Sequence, residues 1–169
     1  MSKRISTRRD SRRFVRDLGL PPADSIRDLL PHVEKRSGHP IRVVPNPLGG
    51  TQGVCGVWIR TGAGVDYIFV DEKTSRAHQD HIIAHELAHI LCDHHGALTP
   101  APAVVMTDQL ITTLAPETVR TMLGRSDYTY QDEREAELIG SHLQRHVHGP
   151  GRQVGAHDRV AETLLRTRR

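Results

Sequence analysis

Only two cysteines, Cys55 and Cys92, occur in 169 residues. A disulfide framework for a chain of this size needs more. No apolar run approaches the roughly 18 residues of a membrane-spanning helix. Residues 1–14, MSKRISTRRDSRRF, are charged from the start. They lack the apolar centre of a secretory signal. Aromatic residues make up 4% of the chain, so aliphatic residues carry most of its 37% hydrophobic share. These absences predict a cytoplasmic protein that folds around one aliphatic core, without disulfides or a membrane.

Charge is unevenly spread. Seven Lys or Arg and one Asp fall in residues 1–16, giving +6 there, while the whole chain carries +3. The remainder is therefore at −3, and the basic character belongs to one end. Such an arm is suited to phosphate contact. No aromatic residue is interleaved before Phe14, however, and no helix-turn-helix pattern follows. Nucleic-acid binding by the body of the protein is unsupported. Residues 1–13 read as a basic, disordered arm, 14–148 as one folded domain, and 149–169 as a tail with at most a short helix.

SRRFVRDLGL (11–20) reads as a short helix that Leu-Pro-Pro ends, and Ser25 then begins a second helical stretch that Pro31 divides into two pieces and Gly38 closes. Three β-like runs follow, IRVVP (41–45), GVCGVWIR (53–60) and DYIFV (66–70), with a TGAG turn between the last two. Thr74 or Ser75 starts a long helix expected to reach His95, stopped by Gly96 and Pro100. A connector with one helix near residues 115–124 leads to a last helix over about 131–148. Helices and a small run of strands in this order predict an α+β fold.

The long helix contains HIIAHELAHILCDHH, five histidines in fifteen positions. At about 100° per residue, His89 lies about 40° from His85. His78, His81 and Cys92 fall within about 40° of His85 on the same side, and Ile83, Leu87 and Ile90 fall opposite. Two imidazoles at i and i+4 can reach one ion, and the intervening Glu86 is placed to act as a base. A histidine-rich solvated face is the plainer alternative.

A catalytic zinc site needs a third protein ligand and an open position. His95 would extend the motif to HExxHxxCxxH, close to the metzincin pattern, but Cys92 stands where that pattern has glycine. A continuing helix would turn His95 away. The second option is a carboxylate from QDEREAELIGSHLQRHV. Its apolar stripe is Ala136, Ile139, Gly140, Leu143 and Val147, and extending it backwards reaches Glu133. Glu137, one turn on, is suited to accept a proton from a ligating imidazole. Glu135 is expected to point away into solvent.

HELAHILCDHH followed by EREAELIGSHL resembles the ImmA/IrrE metallopeptidases, and the upstream segment from Cys55 resembles small actinobacterial members. The resemblance spans roughly residues 25–148. It implies a zincin-like fold, with helices on a small three-stranded or larger sheet. It implies His85, His89 and Glu133 as zinc ligands and Glu86 as the general base. It also implies a protein substrate, a helix-turn-helix repressor cut in a regulatory response. Two positions depart from the family pattern: Glu137 stands where Asp or Asn is usual, and Gly140 where Ala is.

For the oxyanion, Tyr130 is the candidate catalytic donor, with Tyr128 and His81 as alternatives. The edge of strand 66–70 is expected to hold the substrate as an added strand. Cys92 and Trp58 read as core. The rival reading is a zinc-stabilised regulatory or toxin–antitoxin component that binds a protein without cutting it.

Overall fold

A computed structural model describes residues 5, 7–46, 56–61, 64–94 and 128–149. The expected helix near 115–124, Cys55, His95 and the tail from residue 150 lie outside the described residues. Within them the order is α1 (Arg8–Asp17), a 3-10 turn (Ile26–Leu29), α2 (Leu30–Ser37), β1 (Ile41–Pro45), β2 (Gly56–Arg60), β3 (Asp66–Val70), α3 (Arg76–Cys92) and α4 (Tyr130–Val147). The architecture is α+β, as the pattern predicts. Pro31 sits in the first turn of α2, where its missing N–H costs nothing. The expected break there becomes the change from 3-10 to α-helix. None of the described helices is long and apolar enough to cross a membrane.

The helix expected over residues 11–20 forms but starts earlier. α1 starts at Arg8, inside the stretch 1–13 assigned to a disordered arm. Thr7 Oγ1 accepts from the Asp10 N–H at 3.1 Å, and its hydroxyl donates to the Asp10 carboxylate at 2.6 Å. A cap of this kind stabilises a helix start by about 1 kcal/mol. Ser11, Val15 and Leu18 are then buried, with α1 lying along α4.

β3 is the middle strand. It pairs parallel with β1 and antiparallel with β2, with Ile68 opposite both Val43 and Trp58. All five of its residues are buried. The expectation that 66–70 offers a free edge is therefore wrong. A near-continuous apolar run marks a strand covered on both faces, and here it is paired on both sides too. Among the described residues β1 and β2 each pair only with β3, so both are edge strands.

Ile41, Trp58, Ile68 and Val70 face the helices, while Val57, Tyr67 and Phe69 form a smaller cluster on the other face. One carboxylate is buried in the helix-facing layer. Asp66 accepts from Trp58 Nε1 at 3.0 Å and from Arg60 Nε and Nη2 at 2.7 and 3.0 Å. Arg60 reaches on to Asp93 at 3.1 Å and so ties the sheet to the end of α3.

α3 is the centre of the molecule. Rather than having one apolar and one solvated face, it is flanked by the sheet and by α4. Two glycines permit these approaches. A Cβ on Gly140 would stand 3.2 Å from backbone atoms of Ala84 and His85. A Cβ on Gly56 would collide with Ile82 Cγ2 and stand 3.3 Å from Glu86 Oε1. Gly56→Val should accordingly push β2 off α3 and destabilise the chain by about 1–3 kcal/mol. Urea unfolding measures this, and unchanged stability would contradict the packing.

Candidate metal centre

The site is built where the first turn of α4 crosses the middle of α3. Ser75 caps α3 by accepting from the His78 N–H at 3.2 Å. Three turns later, His85 and His89 bring Nε2 atoms to 3.0 Å of each other. α4 begins with a capping box: Thr129 Oγ1 accepts from the Asp132 N–H, and the Asp132 carboxylate accepts from the Thr129 N–H at 3.1 Å. This fixes the first turn and with it Glu133. Glu133 Oε2 lies 3.3 Å from His85 Nε2, and Oε1 lies 3.6 Å from His89 Nε2.

These separations suit a metal ion. For a tetrahedral ion bonded at roughly 2.0–2.1 Å, ligand atoms stand about 3.4 Å apart. The two rings stand 3.0 Å apart, and the carboxylate of Glu133 comes within 3.3 Å of one through Oε2 and 3.6 Å of the other through Oε1, close to that value. His85, His89 and Glu133 thus form a group close enough to hold one ion. Glu133 is 47% exposed, so the group opens to solvent on that side, whereas His89 is buried.

Glu86 is the second mark of a site. It is buried, and its Oε2 has no hydrogen-bond partner in the protein. An unpaired buried carboxylate oxygen is costly. Burial pushes its pKa up to about 7, the nearby Glu133 charge adds to this, and His85 and the Trp58 backbone amide oppose it. The strand geometry explains the burial. Gly56 and Trp58 of β2 pass directly over Glu86, so its carboxylate lies between the sheet and the histidines.

The histidines divide one positive charge between them. Burial pulls His85 down, but the carboxylates of Glu133, Glu137 and Glu86 outweigh it and lift His85 to about 10. Burial and the charge on His85 hold His89 down, at about 3. The positive charge of the pair therefore sits on His85, and His89 stays a neutral ring. The imidazole of His85, through its bond to Glu133 and again to Glu137, lowers both carboxyls.

The structure brings together most of the predicted residues. Glu137 Oε2 lies 3.7 Å from His85 Nδ1, the outer position expected of it. His81 sits one turn back along the same seam, between Glu137 at 3.8 Å and Gln144 at 3.4 Å, outside the ligand group.

Tyr130 does not belong with them. It is the first residue of α4 and is 81% exposed. Tyr128 takes the place beside the site, its ring stacked on His89 with centroids 4.0 Å apart. Capping explains the exchange: Thr129 turns the chain, so the residue before the cap faces inward and the residue after it faces out.

Two further expectations are corrected. α3 ends at Cys92, not near His95, because Asp93 takes a left-handed conformation with φ 54°. Glu135, expected in solvent, is 8% exposed. It lies on the other flank of the α4 stripe, where its Oε1 accepts from the Ile5 N–H at 3.0 Å and from Cys92 Sγ at 3.8 Å. Burial and this carboxylate raise the Cys92 thiol to about 12, which makes it a poor nucleophile. His94, which the motif reading passed over, is drawn in by the early helix end: its Nδ1 lies 3.1 Å from His89 Nδ1. The sequence signal was Asp93, a residue type that tolerates the left-handed region.

No protein-family model, no curated protein and no solved structure matches this chain. The likeness to the ImmA/IrrE metallopeptidases therefore rests on the residues that carry it, chiefly those of 85–95 and 133–143.

Proposed function

We propose that this chain is a zinc-dependent endopeptidase with a zincin-like fold, of the ImmA/IrrE type. His85, His89 and Glu133 would hold the metal, and Glu86 would be the general base. The observation that carries the reading is the buried Glu86 Oε2, unpartnered beside three converging ligand atoms. A purely structural metal site needs no such atom, and a fold without function would not retain one at this cost.

Zinc, when bound, supplies Lewis acidity toward a carbonyl oxygen and makes water a better acid. The remaining steps belong to the chain. Glu86 Oε2, with no competing partner, takes a proton from the attacking water and returns it to the departing amine. Tyr128 covers one face of His89 and keeps water off that side. β2 offers an outer edge beside Glu86, where an extended substrate can add as a strand. The class of substrate, a helix-turn-helix repressor, follows from the family likeness and from nothing else on this surface.

The test is zinc-dependent cleavage. The zinc-loaded chain is incubated with a complex peptide library, and new N-termini are read by mass spectrometry. The expected result is a set of new termini lost on chelation and restored by zinc. Zinc held at the site with no new termini would favour the non-cutting regulatory reading.

A further inference from the structure

Beyond the ligands themselves, the geometry points to His94 as a positioning residue for His89, with its Nδ1 hydrogen-bonded to His89 and its Nε2 paired with Glu135. This inference rests on the proposed metal site. His94 is placed by the backbone. After Asp93 turns left-handed, the His94 N–H donates to the His89 carbonyl at 3.0 Å. Arg60 holds the Asp93 carboxylate from the sheet at 3.1 Å. The His94 side chain is 8% exposed. Its Nδ1 lies 3.1 Å from His89 Nδ1, and its Nε2 lies 3.5 Å from Glu135 Oε2 and 4.0 Å from Asp132 Oδ1.

Proton accounting gives these contacts one direction. If His89 Nε2 is to donate a lone pair to a metal, the single N–H of the neutral ring is on Nδ1. That N–H faces His94 Nδ1, which must accept. The His94 proton is then on Nε2, facing Glu135. Glu135 is held by Ile5 and Cys92, so it ends the series as a fixed acceptor. Ligating imidazoles need such a partner to hold their tautomer and ring orientation. For His85 the partner is Glu137; for His89 it is His94.

Cys92, His94 and Glu135 also lie close enough together to hold an ion themselves. One fact weighs against this. Ligation by His94 Nε2 would move its proton to Nδ1, and the His89 proton would then have to shift to Nε2. His89 could no longer serve the first site. With neutral rings the two groups exclude each other, and the first has the unpartnered carboxylate.

The test uses the full chain and zinc. Zinc affinity is measured by chelator competition for wild type, His94→Phe and His94→Asn. Phe keeps the shape without an acceptor, while Asn restores one near Nδ1. The expected loss is about 10- to 100-fold for His94→Phe, with His94→Asn recovering most of it. A loss equal in both variants would mean that His94 acts only by packing and would overturn the inference. So would a His94→Phe chain that binds zinc like wild type.

Imidazole nitrogen NMR of the zinc-loaded wild type needs no variant and covers a misfolded one. It should show His89 protonated at Nδ1 and ligating through Nε2; the reverse overturns the inference. Cobalt substitution separates the second group. A thiolate-to-cobalt absorption lost in Cys92→Ser would assign the metal to Cys92, His94 and Glu135 and overturn the inference. If the wild-type chain binds no zinc at all, the metal reading fails first and the role of His94 falls with it.

Discussion

Glu86→Gln should keep zinc and lose hydrolysis, by about 10²- to 10⁴-fold or to background. Gln has nearly the same shape, cannot accept the proton, and leaves His85, His89 and Glu133 untouched. Cleavage at the wild-type rate by this variant would end the mechanism.

The same substitution has a consequence for folding that does not depend on any substrate. In the metal-free chain the Glu86 carboxyl lies near 7, against an ordinary value of 4.5. A carboxyl raised in this way disfavours its own ionised form in the fold. Below pH 4.5 it is protonated both folded and unfolded, and the penalty is absent. The penalty grows as pH rises through 4.5 and is complete above 7, where it is on the order of 3 kcal/mol. Gln does not titrate. The stability of metal-free Glu86→Gln relative to wild type should therefore improve between pH 4 and pH 8. Urea unfolding at the two pH values reads the difference directly, and a constant gap would contradict the buried, unpaired carboxylate.

Glu133→Ala should lower zinc affinity by about 100-fold or more, because it removes one of three ligands. The fold should tolerate the change. Glu133 is half exposed, and the helix start is held by Thr129 and Asp132 instead. Unfolding free energy should shift by about 0.5 kcal/mol or less. Glu137→Ala should weaken zinc less, by roughly 10-fold, since it acts through His85 rather than on the metal. Equal zinc binding by wild type and Glu133→Ala would show that the third ligand has been assigned wrongly.

The candidate ligands were legible because helix periodicity alone relates them. His85 and His89 are one turn apart, and Glu133 lies three residues before the apolar stripe that begins at Ala136. Neither inference needs knowledge of how the helices cross. The outer residues were not legible, because their positions depend on where helices end. His94 enters through a single left-handed residue, Asp93. Tyr128 replaces Tyr130 because a cap falls between them. Glu135 is buried against Cys92, His94 and Ile5, contacts that no local pattern signals. Sheet order was likewise open: β1 and β3 are parallel neighbours although β2 comes between them in the chain. The continuous burial of DYIFV was readable as an apolar run, and a central place follows from it more naturally than an edge.

X-ray absorption at the zinc edge of the loaded wild-type chain tests the central claim most directly. Two imidazole nitrogens and carboxylate or water oxygen at roughly 2.0–2.1 Å, with no sulfur, is the predicted first sphere. A sulfur at about 2.3 Å would move the metal to Cys92, and a sphere without imidazole would contradict the site altogether.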